Sequence, residues 1–275
     1  MFFVPDIIYS LTNPSVKELV KLRESPRHRR ESSRFVVEGA EEFNEIFSAG
    51  KDIETVYFNE ELAARSKIIE QLSSWKSGKV LSWQELGENA FRKASYQKNP
   101  DGILAVVKSW SLDISFIDLS GESPVGPFII LDEIEKPGNL GAILRTGEAL
   151  GVHSFILSDP SVDFFNPNVV RSSRGLMSRV SVAIASKETV FEWVKKISLP
   201  LIATSSKTHT LSHKFDYPEN VVLVFGKESS GLGEFWKSRV KDWVKLQMPG
   251  TASSLNLNVS VGCILNDYNR STGKI

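Results

Sequence analysis

Two α/β domains in series, the second built on a parallel sheet, follow from three patterns in the chain. From Phe128 onward, apolar runs recur between stretches of helical periodicity, which is what a parallel sheet covered on both faces requires. Residues 1–107 instead mix helical patterns with short β-branched or aromatic runs, as expected of a smaller α/β unit. Between them, residues 108–126 have no clear period and carry Ser, Asp, Gly and Pro, so they are expected to be a linker. With 275 residues, each part has enough chain to bury its own core.

In chain order, the first domain is expected to place helices over 15–24, 38–49 and 60–74, and strands over 34–37, 55–58, 79–81 and 102–107. The second, residues 127–275, is expected to place strands over 128–131, 154–157, 180–185, 201–204, 221–225 and 244–248. After its first strand, Pro137-Gly-Asn139 closes a loop with Asn139 as the expected N-cap. Leu140, Ile143, Leu144 and Gly147 then form one helical stripe, and Arg145 falls outside it. In the last helix Leu257, Val261, Ile264 and Leu265 line one face, while Ser260, Gly262 and Cys263 keep the others small. Burial on more than one side is expected there.

Lys and Arg together number 33, balanced by 33 Asp and Glu, which argues against a nonspecific polyanion binder. Residues 17–34 are locally basic, however, with Arg27, Arg29 and Arg30 at their centre. This stretch reads either as a solvated helix with its loop or as a local basic face for a partner. A single cysteine, Cys263, excludes an internal disulfide. The apolar start is cut by Pro5 and Asp6, too early for a signal peptide, and no run reaches membrane-spanning length, so a cytoplasmic location is expected. The four histidines do not combine with Cys, Asp or Glu at metal-ligand spacing, and no metal is expected.

Three blocks carry the chemistry: Pro137-Gly-Asn-Leu-Gly-Ala-Ile-Leu-Arg-Thr, Gly226-Lys-Glu-Ser-Ser-Gly-Leu, and Met248-Pro-Gly followed by Ser254-Leu-Asn. The ordinary phosphate-binding motifs are absent: Gly226 to Gly233 lacks the Gly-Lys-Ser/Thr ending of a P-loop and the third glycine of a dinucleotide fingerprint. Arg145 suits a phosphate-bearing partner because its planar fork grips phosphate bidentately, although a surface arginine needs no function. Glu228 reads equally as a cap for a following helix.

In order and spacing, these blocks resemble the signature of the SpoU/TrmH family of S-adenosylmethionine-dependent RNA 2′-O-ribose methyltransferases, over about Phe128 to Asn269. The resemblance implies a deep trefoil knot in the second domain, an exception to the rule that chains do not thread loops. It implies S-adenosylmethionine held mostly by main chain at Gly226, Leu246 and Leu255, with Met248 and Thr204 as further candidates. The implied catalytic set is Asn139, Arg145, Glu228, Ser254 and Asn256, with Arg145 aligning and stabilising charge first and acting as a base second. Arg171 and Arg174 join Arg27, Arg29 and Arg30 as RNA-binding candidates. Residues 35–43 and 99–107 resemble the ribosomal-protein-like substrate-binding domain of some members, which implies ribosomal RNA as substrate; a homodimer paired through the last helix is also implied. Two other readings stay open, a tRNA 2′-O-methyltransferase and a noncatalytic RNA-binding or ribosome-assembly protein that keeps the knot. This chain departs from the family at Lys136, often Asp, at Gly147, often Ala, and at Asn258, commonly Ser.

Overall fold

The computed structural model describes residues 6–78, 82–117 and 126–274. The chain forms two compact units, Met1–Trp110 with Asp163–Ser178, and Ser111–Val162 with Arg179–Ile275. The segment Asp163–Ser178, expected within the second domain, therefore belongs to the first unit.

In the first unit β1 (Arg34–Glu38), β2 (Ile53–Phe58), β3 (Ser82–Glu85) and β4 (Ile103–Lys108) make a sheet of order β1-β4-β2-β3. β4 is antiparallel to both neighbours, and β3 runs parallel to β2. The strand expected at 79–81 lies outside the described residues; β3 follows it. The helices are α1 (Pro14–Glu24), α2 (Pro26–Ser32), α3 (Ala40–Ser48), α4 (Glu60–Arg65), α5 (Ile69–Gly78) and α6 (Glu88–Ala94). Asn13 starts α1 by accepting the Ser15 amide at 2.9 Å, and Val16, Leu19 and Leu22 then pack with Ala90 and Phe91 of α6 over Val36, Leu104 and Val106. The single helix expected over 60–74 is broken in two at Lys67, whose φ of 61° cannot continue a right-handed helix.

In the second unit β5 (Phe128–Asp132), β6 (Ser154–Ser158), β7 (Ser181–Ala185), β8 (Leu201–Thr204), β9 (Val222–Phe225) and β10 (Asp242–Val244) form a sheet of order β10-β8-β9-β5-β6-β7. Every pairing is parallel. The chain runs outward through β6 and β7, then crosses back to β8 beyond β9, so it reverses direction beside β9, where open α/β sheets carry ligands. β10 ends at Val244 rather than continuing to Met248, because its ladder with β8 stops at Thr204 and the Lys245 amide turns to the Thr210 carbonyl at 2.9 Å. The sheet is covered by α7 (Pro137–Ala149), α9 (Lys187–Ile197), α10 (Glu234–Lys237) and α11 (Leu257–Ser271); α8 (Pro167–Ser172) lies in the first unit.

α11 buries Leu257, Val261, Ile264 and Leu265 inside the chain's own second unit. Its Tyr268 hydroxyl donates to the Gly126 carbonyl at 3.2 Å and to that of Glu219, and the Asn269 amide donates to the Leu150 carbonyl at 3.1 Å. The expected apolar stripe is thus used within the protomer.

Candidate active site

α7 begins one residue after Lys136, with Pro137 at its first position, where a missing N–H costs nothing. Asn139 is therefore not the N-cap that its residue type suggested; it lies inside the first turn. Its side chain is free for longer-range bonds. It donates to the Glu228 carboxylate, which also pairs with Lys136, and its oxygen accepts from the Asn256 amide at 3.2 Å. Asn256 in turn caps α11, accepting the Asn258 N–H at 2.9 Å, while the Asn258 side chain accepts from the Thr146 hydroxyl at 2.8 Å. One hydrogen-bonded network thereby joins all three sequence blocks, and the atypical Asn258 has a partner in it. Glu228 caps no helix, since α10 starts behind Gly233.

Leu140, Ile143, Leu144 and Gly147 are buried as expected, and Arg145 is exposed on the opposite face of α7. A Cβ on Gly147 would lie 2.2 Å from the Phe155 ring, which accounts for glycine where the family often has alanine. Among the described residues the Arg145 side chain makes neither a hydrogen bond nor an ion pair.

At the carboxyl ends of β8, β9 and β10 lies a cleft of about 430 Å³. Thr204, Gly226, Leu246, Met248 and Leu255 all line it, as do Glu228 and Ser254. Asn139, Arg145 and Asn256 do not; Asn139 reaches the cleft wall through its bond to Glu228. Gly226 must be glycine, because a Cβ there would come within 2.3 Å of the Gly231 carbonyl carbon and the Leu232 nitrogen. The intervening turn closes on the Gly231 amide, which donates to the Lys227 carbonyl at 2.9 Å. Lys207 and Lys245 also line the cleft, and isolated lysines gave no sequence signal for them.

A second electrostatic feature steadies this loop. Glu133, with φ of 52°, accepts Lys187 at 2.8 Å and Lys227 at 2.5 Å, and these bonds hold its carboxyl down at about 2. Behind it, burial pushes Asp132 up, opposed by the Ser158 hydroxyl donating at 2.9 Å.

The expected RNA contacts divide. Arg30 and Arg171 are exposed, with neither hydrogen bonds nor ion pairs from their side chains among the described residues; Arg27 and Arg174 are exposed but pair with Glu31 at 2.7 Å and Glu41 at 2.5 Å. Arg29 is not a surface residue. Only 2% of its side chain is accessible, and it binds Asp163 at 2.6 Å and the carbonyls of Leu22 and Arg23 at 2.6 and 3.0 Å, closing the end of α1.

No group of three or more His, Cys, Asp or Glu side chains among the described residues could hold a metal ion, and no helix there is long and apolar enough to cross a membrane.

A parallel sheet with a loop-walled cleft at its carboxyl edge defines a small-molecule-binding α/β domain. Residues 126–266 match the SpoU rRNA Methylase family and residues 13–105 the MRM3-like substrate binding domain. Over 187 residues the chain is 31% identical to the 23S rRNA (uridine(2479)-2′-O)-methyltransferase of Streptomyces viridochromogenes, covering 66% of this chain but only 62% of that relative's length. A crystal structure of an RNA 2′-O ribose methyltransferase superposes with a TM-score of 0.82 at 29% identity, covering 98% of this chain and 100% of the other. The AdoMet-bound rRNA methyltransferase of Sinorhizobium meliloti gives 0.83 at 25% identity, over 96% and 97%. The chain belongs to the SpoU rRNA methylase family.

Proposed function

We propose that this protein transfers the methyl group of S-adenosylmethionine to a ribose 2′-hydroxyl of RNA, with ribosomal RNA as the substrate. The carrying observation is the network from Lys136 and Glu228 through Asn139 and Asn256 to Asn258 and Thr146, which ties the wall of the cleft to the helix bearing Arg145. Similarity to a 23S rRNA 2′-O-methyltransferase and to an AdoMet-bound rRNA methyltransferase supports the substrate.

The cleft fits the cofactor. Its volume lies within the range of small-molecule sites, and at Gly226 a lining loop packs so closely that a Cβ would meet the backbone of Gly231 and Leu232. When bound, S-adenosylmethionine supplies an electrophilic methyl group. Gly226, Leu246 and Leu255 would hold it, with Leu257 and Ile264 as apolar lining and Thr204 and Met248 at the walls. Arg145 supplies a cation for the substrate's phosphate and for charge developing on the ribose oxygen as its proton passes to solvent water. Ser254 offers a neutral donor and acceptor in the cleft, and Asn139 and Glu228 keep the Asn256 loop in place. Alignment therefore carries most of the rate.

Knotting of the second unit and pairing into a cytoplasmic homodimer belong to the same reading. Leu255 and Val259, 40% and 46% exposed beside α11's N-terminus, offer the apolar surface for a second copy, and light scattering that returned the mass of one chain would remove the dimer.

Mapping 2′-O-methylated riboses in ribosomal RNA and tRNA with and without the protein tests the function. A new site in ribosomal RNA is expected; one confined to tRNA, or none, would favour the tRNA enzyme or the noncatalytic protein. Arg145→Ala should lower single-turnover methyl transfer by roughly 10²–10⁴ while changing S-adenosylmethionine affinity only a few-fold. Arg145→Lys should not restore it, because a point charge lacks the bidentate fork.

A further inference from the structure

We infer that the turn following α6 carries a docking site for one unpaired nucleotide, formed by Tyr96, Gln97 and Arg171; this deepens the proposed RNA function and rests on it. Tyr96 is 50% exposed, yet its backbone is tightly fixed. Its N–H donates to Glu38 at 2.6 Å and that of Gln97 to the same carboxylate at 3.2 Å, while the preceding Ser95 carbonyl accepts from Arg23 at 2.5 Å. Glu38 is buried at the end of β1, so the turn is anchored to the sheet. An aromatic ring held open to solvent by a rigid turn is ready to stack without further loss of backbone entropy.

Its surroundings favour a nucleotide over an apolar partner. Gln97 and Arg171 border the same notch as Tyr96, and among the described residues neither side chain makes a hydrogen bond or an ion pair. A free amide can pair with a base edge, and the Arg171 guanidinium, which makes no direct ion pair although it acts electrostatically on the buried Glu38 and Glu42 carboxylates, can grip the adjoining phosphate. Arg23 borders the notch as well, its guanidinium on the Ser95 carbonyl. The notch holds only about 10 Å³, the room of roughly one water, so the base lies on the Tyr96 ring and presents only its edge inward. Paired bases hide their faces in a duplex; single-stranded bases offer them to an aromatic platform.

The test uses the full chain with two fluorescent probes, a short single-stranded RNA of mixed sequence and a blunt-ended, fully paired RNA duplex, alongside S-adenosylmethionine titration. Tyr96→Ala should weaken the single-stranded probe about tenfold or more, with Tyr96→Phe near wild type, duplex affinity unchanged and S-adenosylmethionine binding unchanged. Arg171→Gln should weaken the single-stranded probe and flatten its salt dependence. Unchanged single-strand affinity in Tyr96→Ala, or equal losses on both probes, overturns the site while leaving the methyltransferase reading standing. Wild-type protein that binds neither probe overturns the RNA reading and this site together.

Discussion

Arg29 shows how a charged residue's role depends on contacts that are remote in sequence. Its side chain closes α1 and meets Asp163, separated from it by 134 positions, in a nearly dry environment. Truncating one partner of a buried pair strands the other, so Arg29→Ala should cost about 3–5 kcal/mol of stability. Exposed Arg30 should behave oppositely: Arg30→Glu should leave the unfolding midpoint alone but weaken RNA binding and its salt dependence. Loss of RNA affinity in Arg29→Ala without a change in the urea midpoint would contradict this division. Glu42 supplies a pH effect in the same unit. Burial, with repulsion from Glu41 and Asp101, pushes its carboxyl from an ordinary 4.5 to about 7. Between those values the folded chain keeps a proton that the unfolded chain has released, so this group lowers stability as pH rises through the window. Glu42→Gln should therefore stabilise the protein by about 1–3 kcal/mol at about pH 8, after allowance for screening, and have little effect at about pH 4. Urea unfolding at both pH values decides it, and equal shifts at the two would refute the assignment.

At the level of elements, β5, β6 and β9 were readable because both their faces are buried, leaving apolar runs without alternation. β10 was misplaced because Asp242 opens an edge strand, whereas Leu246 and Met248 alternate like a strand yet line the cleft. At α7 the decisive signal was Pro137 and not Asn139; α4 and α5 part at Lys67 with no Gly or Pro to announce it. The motif blocks supplied the candidate residues, but only the fold shows that Asn139 holds Glu228 and Asn256 together. Gly226 is the element-scale test of the cradle. In Gly226→Ala the new methyl would strike backbone at Gly231 and Leu232, which cannot rotate away as a side chain could. Overpacking of this kind costs about 1–3 kcal/mol of stability, and a loop that shifts to relieve the clash should hold S-adenosylmethionine less tightly. Calorimetry returning the wild-type Kd would show that the cofactor does not need this close approach.

Across the whole molecule, the division of the chain is not sequential, and that changes what a truncation can mean. Asp163–Ser178 lies between β6 and β7 in sequence yet belongs to the unit formed by the first 110 residues. There Phe165 packs on Phe35 and on Trp110, both at 4.9 Å between ring centroids, and Asp163 neutralises Arg29. A fragment ending at residue 117 therefore loses an aromatic cluster and the partner of a buried arginine at one stroke. Residues 126–275 alone carry the opposite defect, exposing Phe164, Val169 and Val170, which are buried in the intact chain. We expect fragment 1–117 to unfold at markedly lower urea than the same fragment carrying residues 163–178 on a flexible Gly/Ser linker. The difference should be at least the 3–5 kcal/mol of the broken buried pair, with lost aromatic packing adding to it. Arg29→Ala should erase part of the gain conferred by the added segment, because the segment then has no cation to meet. Equal midpoints for the two fragments would mean that Asp163–Ser178 merely lies against the first unit and takes no part in holding it together.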